Sequence, residues 1–339
     1  MKVCIVGAGA IGGFIGTRLA VAGEAQISAI ARGATLQALK RYGWRLDTVD
    51  ASGASQQLRA PALASDTASE LGVQDLVVIA VKGPALSGLA QTLSPLLGTD
   101  TLVVPAMNGV PWWFCKGLPG FGDAALQSVD PSGLIAQAIP FEQVIGCVVH
   151  TSTSTSEPGL VQHKFGKGLI LGEPSGGQSS RVQAIVDLLA RAGFDASQSV
   201  NVRYDIWYKL WGNLTMNPVS AMTGATIEHI LSDPLVREFC SSAMREAAEI
   251  GERIGCSVTQ SPEDRHAVTA KLGAFKTSML QDAEAGRPLE LDAIVGAVRE
   301  IGQRLGQPTP NVNALLGLTR LFARTSGLYP LDPKKPGSW

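Results

Sequence analysis

An apolar, β-branched run, Val3-Cys4-Ile5-Val6, passes without a spacer into Gly7-Ala8-Gly9-Ala10-Ile11-Gly12 and then into a helix-period stretch over residues 10–22. Strand, glycine turn and helix in that order begin a βαβ unit, which places this half of the chain among parallel-sheet α/β folds. The three glycines have separable duties. Gly7 makes the tight turn, Gly9 lets the backbone approach a pyrophosphate, and Gly12 permits close packing of helix on strand. The N–H groups of Ala8, Ala10 and Ile11 belong to the same turn, and a helix N-terminus there offers unpaired donors and partial positive charge to phosphates. A glycine turn used only for packing has the same spelling; its position between strand and helix favours a dinucleotide site.

The second strand bears on which dinucleotide. An NAD site uses a carboxylate about 20 residues past the glycines to accept the ribose 2′-hydroxyl. No Asp or Glu occurs between Glu24 and Asp47, whereas Arg32 follows the second strand and Lys40 and Arg41 come soon after. A guanidinium is a planar, multi-donor cation suited to a 2′-phosphate. Unless Arg32 is an ordinary solvated loop charge, the expected cofactor is NADP(H).

The alternation of β-branched runs with helical stretches continues to about Val200, with strands expected over 2–6, 26–31, 75–81, 101–104 and 144–150 and helices over 10–22, 35–41, 84–97 and 181–191. Residues 151–172 are rich in Ser, Thr and Gly around a Pro158-Gly159 turn and read as a loop followed by a hairpin. Beyond that the strand signal fades. Helices are expected to start near Arg203, Pro234, Pro262, Leu289 and Pro310, with Asp233, Ser261 and Thr309 as capping residues before first-turn prolines. The expected architecture is α/β: a Rossmann-type, mostly parallel sheet over 1–200, an all-helical domain over 201–330, and a loose tail over 331–339.

Composition narrows the partners. In 339 residues, 28 Lys and Arg stand against 29 Asp and Glu, a net charge of −1, which leaves no surplus to neutralise a nucleic-acid backbone or an anionic membrane. No apolar run approaches the ~18 residues of a membrane span. Five separated cysteines form no C-x-x-C pair, and four scattered histidines suggest no metal constellation. With no leader pattern after Met1, a cytoplasmic protein without metal, nucleic acid or membrane partner is expected. The oligomeric state stays open, a homodimer among the options.

Lys209, Asn213 and Asn217 recur every four residues within an aromatic segment that includes Trp207, Tyr208 and Trp211. At ~100° per residue they share one helix face. Such a stripe is either the solvent side of an amphipathic helix or a site. Repeated asparagine, a mediocre helix former, is an odd choice for a plain surface, yet residue chemistry alone leaves both readings open.

These elements together resemble the ketopantoate reductase (2-dehydropantoate 2-reductase) family over nearly the whole chain: the Gly7–Gly12 turn, Lys82 after the third strand, Asn108-Gly109, the Lys209/Asn213/Asn217 helix, and Ser278-Met279-Leu280-Gln281-Asp282 followed by Glu290. The resemblance implies reduction of 2-dehydropantoate to pantoate with NADPH, on the route to pantothenate and coenzyme A. It implies Lys209 as the general acid, with the flanking tryptophans excluding water. Asn213 and Asn217 would hold the substrate's hydroxyl or carboxylate, Ser278 its carboxylate, and Asn108 would lie between nicotinamide and substrate. Glu290 is implied on the cofactor side and as a substrate-orienting carboxylate, and Lys82 and Arg32 on the cofactor side. Two departures, an apolar stretch near Thr226-Ile227 on a helix expected to continue past Pro218 and the aromatic run Trp112-Trp113-Phe114, keep another 2-oxo acid open as the substrate. A non-catalytic NADP(H)-sensing protein is the remaining alternative.

Overall fold

A computed structural model of the chain describes residues 1–50 and 52–330; the tail expected over 331–339 lies outside the described residues. The chain divides into two units, one formed by Met1–Phe114 with Ser132–Asp205, the other by Cys115–Pro131 with the residues from Ile206 onward.

The first unit runs β1 (Lys2–Val6), α1 (Ala10–Ala22), β2 (Gln26–Ile30), α2 (Gly33–Tyr42), β3 (Trp44–Val49), β4 (Ser55–Ala60), β5 (Leu63–Ser65), β6 (Gln74–Ile79), α3 (Gly83–Leu89), β7 (Leu97–Pro105), α4 (Leu134–Ala138), β8 (Gly146–Glu157), β9 (Leu160–Gly172), α5 (Ser180–Arg191) and β10 (Asp195–Ser199). Five strands form a sheet in the order β5-β2-β1-β6-β7, all parallel. After β1 the chain moves outward through β2 and β5, then returns to the other side of β1 with β6 and β7. The strand order therefore reverses between β1 and β6, the place where open α/β sheets bind ligands beyond their carboxyl ends. This is the expected Rossmann-type sheet.

One expected strand changes partner. The segment at 144–150 touches the parallel sheet only through a Val103–Val144 bridge; β8 instead pairs antiparallel with β9 in a second sheet of order β10-β9-β3-β4. The Pro158-Gly159 turn is where expected, but residues 151–157 continue the strand rather than forming a loop, because their β-branched threonines pair along β9.

Helix α1 is buried on more than one side. A Cβ at Gly13 would lie 2.6 Å from Val161 of β9, and one at Gly16 would lie 2.5 Å from the Trp44 ring of β3. Glycines at these positions let the helix meet the second sheet as closely as Gly12 lets it meet the first. Val3, Ile5, Phe14, Leu19, Trp44 and Leu171 belong to the resulting core. The aromatic run Trp112-Trp113-Phe114 is also buried, at 6%, 2% and 0% exposure. The helix expected over 84–97 is α-helical only to Leu89; residues Ala90–Leu96 tighten into a 3-10 turn around Pro95, which has no N–H to continue an α-helical ladder.

The second unit is mainly helical: α6 (Val202–Thr223, shared across the unit boundary), α7 (Ile227–Ser232), α8 (Pro234–Arg253), α9 (Pro262–Ala270), α10 (Ser278–Glu284), α11 (Ala297–Arg304) and α12 (Pro310–Thr325). Asp233 accepts from the N–H groups of Leu235 and Val236, and Ser261 with Asp264 completes a reciprocal capping box. Thr309, in contrast, makes no side-chain cap. Glu246 of α8 does that work, accepting from the Asn311 and Val312 N–H groups at 2.8 and 2.9 Å. The helix expected to run from Asn217 on to Ile227 stops at Thr223, where Gly224 adopts φ +72° and its N–H bonds the Ser220 carbonyl. The helix expected from Leu289 begins at Leu291, and Asp292–Gly296 forms a π turn before α11. No helix among the described residues is long and apolar enough to cross a membrane.

Candidate active site

The glycine turn shows three different environments. A Cβ at Gly7 would lie 2.5 Å from Val81 Cγ1 and 3.0 Å from the Val81 nitrogen, and its φ of +92° is one that L side chains avoid. A Cβ at Gly12 would collide with the Gly7 carbonyl oxygen and approach Ile5 to 2.9 Å. At Gly9 it would meet nothing within 4 Å. Two of the glycines are thus required by protein contacts, while the third leaves its approach open. Gly9 is also the N-cap of α1, and no side chain caps that helix. A bare, uncapped helix start beside an open glycine fits a pyrophosphate.

Parallel strands place their following residues on one edge of the sheet. Gly7 follows β1, Arg32 follows β2, Lys82 follows β6 and Asn108 follows β7. Arg32 is exposed and serves as the backbone N-cap of α2; Lys82 is half-buried and is the N-cap of α3. Asn108 is half-buried ahead of Gly109, whose φ is +82°. The glycine turn, Arg32, Lys82 and Asn108 therefore share the carboxyl edge of one sheet, while Glu290, also expected on the cofactor side, belongs to the second unit.

In the second unit, α6 carries the stripe. Lys209 and Asn213 are half-buried and Asn217 is 4% exposed, so the row deepens along the helix. The opposite face fixes the helix to α8. Trp207 Nε1 donates to the Ala247 carbonyl at 3.2 Å and Trp211 Nε1 to the Met244 carbonyl at 2.7 Å. These indoles therefore anchor α6 by the side away from the stripe rather than walling in Lys209. The Asn217 amide nitrogen is buried with no hydrogen-bond partner. Leaving such a donor unpaired costs about 1–3 kcal/mol, and a polar ligand that accepts from it is a physical reason to keep it.

Ser278 is exposed at the start of α10, whose cap is the buried Thr277 accepting from the Leu280 N–H. Glu290 is half-buried just before the π turn, past a bend closed by Arg287 Nε donating to Asp282 at 2.9 Å. One cation was not foreseen. The Arg265 guanidinium of α9 lies 4.8 Å from the Tyr208 ring centroid, and its Nε is 2.8 Å from where a Cβ at Gly212 would be. A glycine inside the aromatic helix was the available signal, since such a residue has a packing reason when nothing local requires it.

Comparison with known proteins decides the family. The ketopantoate reductase PanE/ApbA family model matches residues 3–176, and its C-terminal counterpart matches residues 201–323. The chain belongs to the ketopantoate reductase family. Among relatives of this ketopantoate reductase family member, a 2-dehydropantoate 2-reductase of Mesorhizobium japonicum is 43% identical over 330 residues, covering 97% of this chain and all of that protein. A crystal structure from Ralstonia solanacearum, described provisionally as a ketopantoate reductase, superposes with a TM-score of 0.91 at 56% identity, covering 97% of this chain and 99% of the other. A 2-dehydropantoate 2-reductase of Methylococcus capsulatus superposes at 0.80 with 26% identity, covering 96% and 98%.

Proposed function

We propose that the chain reduces 2-dehydropantoate to pantoate with NADPH. The observation that carries this reading is the end-to-end 43% identity to the Mesorhizobium 2-dehydropantoate 2-reductase. The open approach to Gly9, the exposed Arg32 and the buried, unpaired Asn217 amide all agree with it.

In this proposal Gly7 to Gly12 receive the pyrophosphate, Arg32 meets the 2′-phosphate, and Lys82 adds positive charge on the cofactor side. Bound NADPH supplies a hydride to the ketone carbon. Reduction develops alkoxide charge on the ketone oxygen, and a donor aimed at that atom lowers the barrier. Lys209 gives its ammonium proton there as general acid. Asn213 and Asn217 bind the substrate's hydroxyl or carboxylate, Ser278 its carboxylate, and Asn108 orients the ketone toward the nicotinamide. Glu290 orients the substrate and contributes on the cofactor side.

The test is oxidation of NADPH followed with 2-dehydropantoate, pyruvate, 2-oxoisovalerate and an aromatic 2-oxo acid, each repeated with NADH. The expected result is kcat/KM for 2-dehydropantoate at least about tenfold above the others, with NADPH preferred. A higher value with another 2-oxo acid would move the substrate assignment. Tight NADPH binding with no turnover on any of them would replace the enzyme by a sensor.

A further inference from the structure

The segment that carries Glu290 is held at two points by the end of the described chain. Before Glu290, the Leu289 N–H donates to the Leu328 carbonyl at 3.0 Å. After it, the Tyr329 hydroxyl donates to Asp292 Oδ1 at 2.5 Å, at the first residue of the π turn. The 326–330 segment is itself fixed to α12: the Leu328 N–H donates to the Ala323 carbonyl at 2.7 Å, Arg324 Nε to the Pro330 carbonyl at 3.3 Å, and the Arg324 guanidinium lies 5.7 Å from the Tyr329 ring centroid. Residues 287–290 have no regular structure, so the backbone that carries Glu290 is held at these flanking tethers and not by a helix of its own.

We propose that Tyr329 is a positioning residue: through Asp292, and together with the Leu328 carbonyl, it fixes the backbone that presents Glu290 to the substrate. This rests on the reading of Glu290 as a substrate-orienting carboxylate. A shift of about 1 Å in such a group is enough to cost up to about 10²-fold. Burial holds the Asp292 carboxyl above its ordinary range, and the Tyr329 hydrogen bond with the Arg320 and Arg324 charges acts against that, so the contact is made to a desolvated acceptor and is not an exposed accessory bond.

The experiment is a double-mutant cycle on the full chain with NADPH and 2-dehydropantoate. Tyr329→Phe is expected to lower kcat/KM about tenfold, mainly through KM for the 2-oxo acid, with the Kd for NADPH changed less than about twofold. In the Glu290→Gln background the same change is expected to have almost no further effect, since residues acting as one unit are not additive. Asp292→Asn keeps an oxygen that can accept from Tyr329 and is expected to lose little, while Asp292→Leu matches Tyr329→Phe. An impaired Glu290→Gln enzyme on which Tyr329→Phe has an equal and independent effect, or a Tyr329→Phe enzyme with unchanged kinetics, overturns the tether alone. A fully active Glu290→Gln enzyme overturns the site reading and the tether with it. Should Tyr329→Phe fail to fold, the Asn and Leu variants at 292 carry the same comparison.

Discussion

Lys209 stands half-buried on a helix face whose opposite side is bolted to α8 by two indole hydrogen bonds, so removing its amine leaves the anchoring of α6 intact. Lys209→Ala is therefore expected to reduce kcat by about 10²-fold or more while NADPH still binds; fluorescence titration of the cofactor beside steady-state kinetics measures both, and near-normal turnover would remove Lys209 from proton transfer. Asn217 calls for a different outcome. Its amide nitrogen is buried and unpaired in the protein alone, so Asn217→Leu, similar in size, removes a desolvated donor. Stability should stay level or rise by roughly 1 kcal/mol while kcat/KM falls, and a urea midpoint that drops instead would make this amide a structural group. Both residues stood out in the sequence because one helix repeats them at its own period, although that pattern alone left a solvent face and a site equally open. Ser278 and Glu290 were not readable that way: each sits on a different element, and only the family resemblance singled them out.

At the level of elements, the strand–turn–helix start was legible because its local signals and its tertiary environment agree. Glycine at 7 and 12 is demanded by neighbours on β1 and after β6, and the caps at Asp233 and Ser261 act as read. Elements stabilised from outside their own sequence were hidden. The strand β10 spells Asp-Ala-Ser-Gln-Ser and exists by pairing with β9, β4 is polar and pairs with β3, and the cap of α12 comes from Glu246 in place of the adjacent Thr309. In β3, the buried Trp44, Leu46 and Thr48 alternate with less buried neighbours, a period-2 signal that the sequence itself carries. Gly16 is the corresponding signal in α1. Alanine favours a helix over glycine by about 1 kcal/mol, but a Cβ there would enter the ring of Trp44, itself 1% exposed. Overpacking of that kind costs about 1–3 kcal/mol, so Gly16→Ala should lower the urea midpoint. Gly88→Ala in α3, where a Cβ meets nothing within 4 Å, should raise the midpoint through a stability gain of about 0.5–1 kcal/mol; equal shifts at the two sites would refute the packing account of α1.

Across the whole molecule, acid sensitivity follows from groups in both units. Burial, reinforced by the Arg237 charge and opposed by Glu263, holds His266 below its ordinary value of 6.5, and its Nε2 is 3.0 Å from the buried Ser241 hydroxyl. A depressed histidine is neutral in the folded protein, so its contribution is complete above pH 6.5 and is lost as pH falls toward the folded-state value. Two carboxylates act lower. Glu173 is held below its ordinary 4.5 by the Arg181 hydrogen bond; Glu300 is pushed up by burial but held lower overall by the Ser128 and Gln127 N–H groups. Both lose their contribution as pH falls below 4.5. Asp292 has the opposite sign: its raised carboxyl stabilises most when protonated, which offsets part of the acid loss. Urea midpoints should therefore begin to fall below pH 6.5, well above the carboxylate range, with no single group contributing more than about 1.4 kcal/mol per pH unit. His266→Gln should flatten the curve between pH 6.5 and the carboxylate range and leave the steeper fall below 4.5 in place. Parallel curves for the two proteins through that upper interval would assign the acid loss to the carboxylates alone.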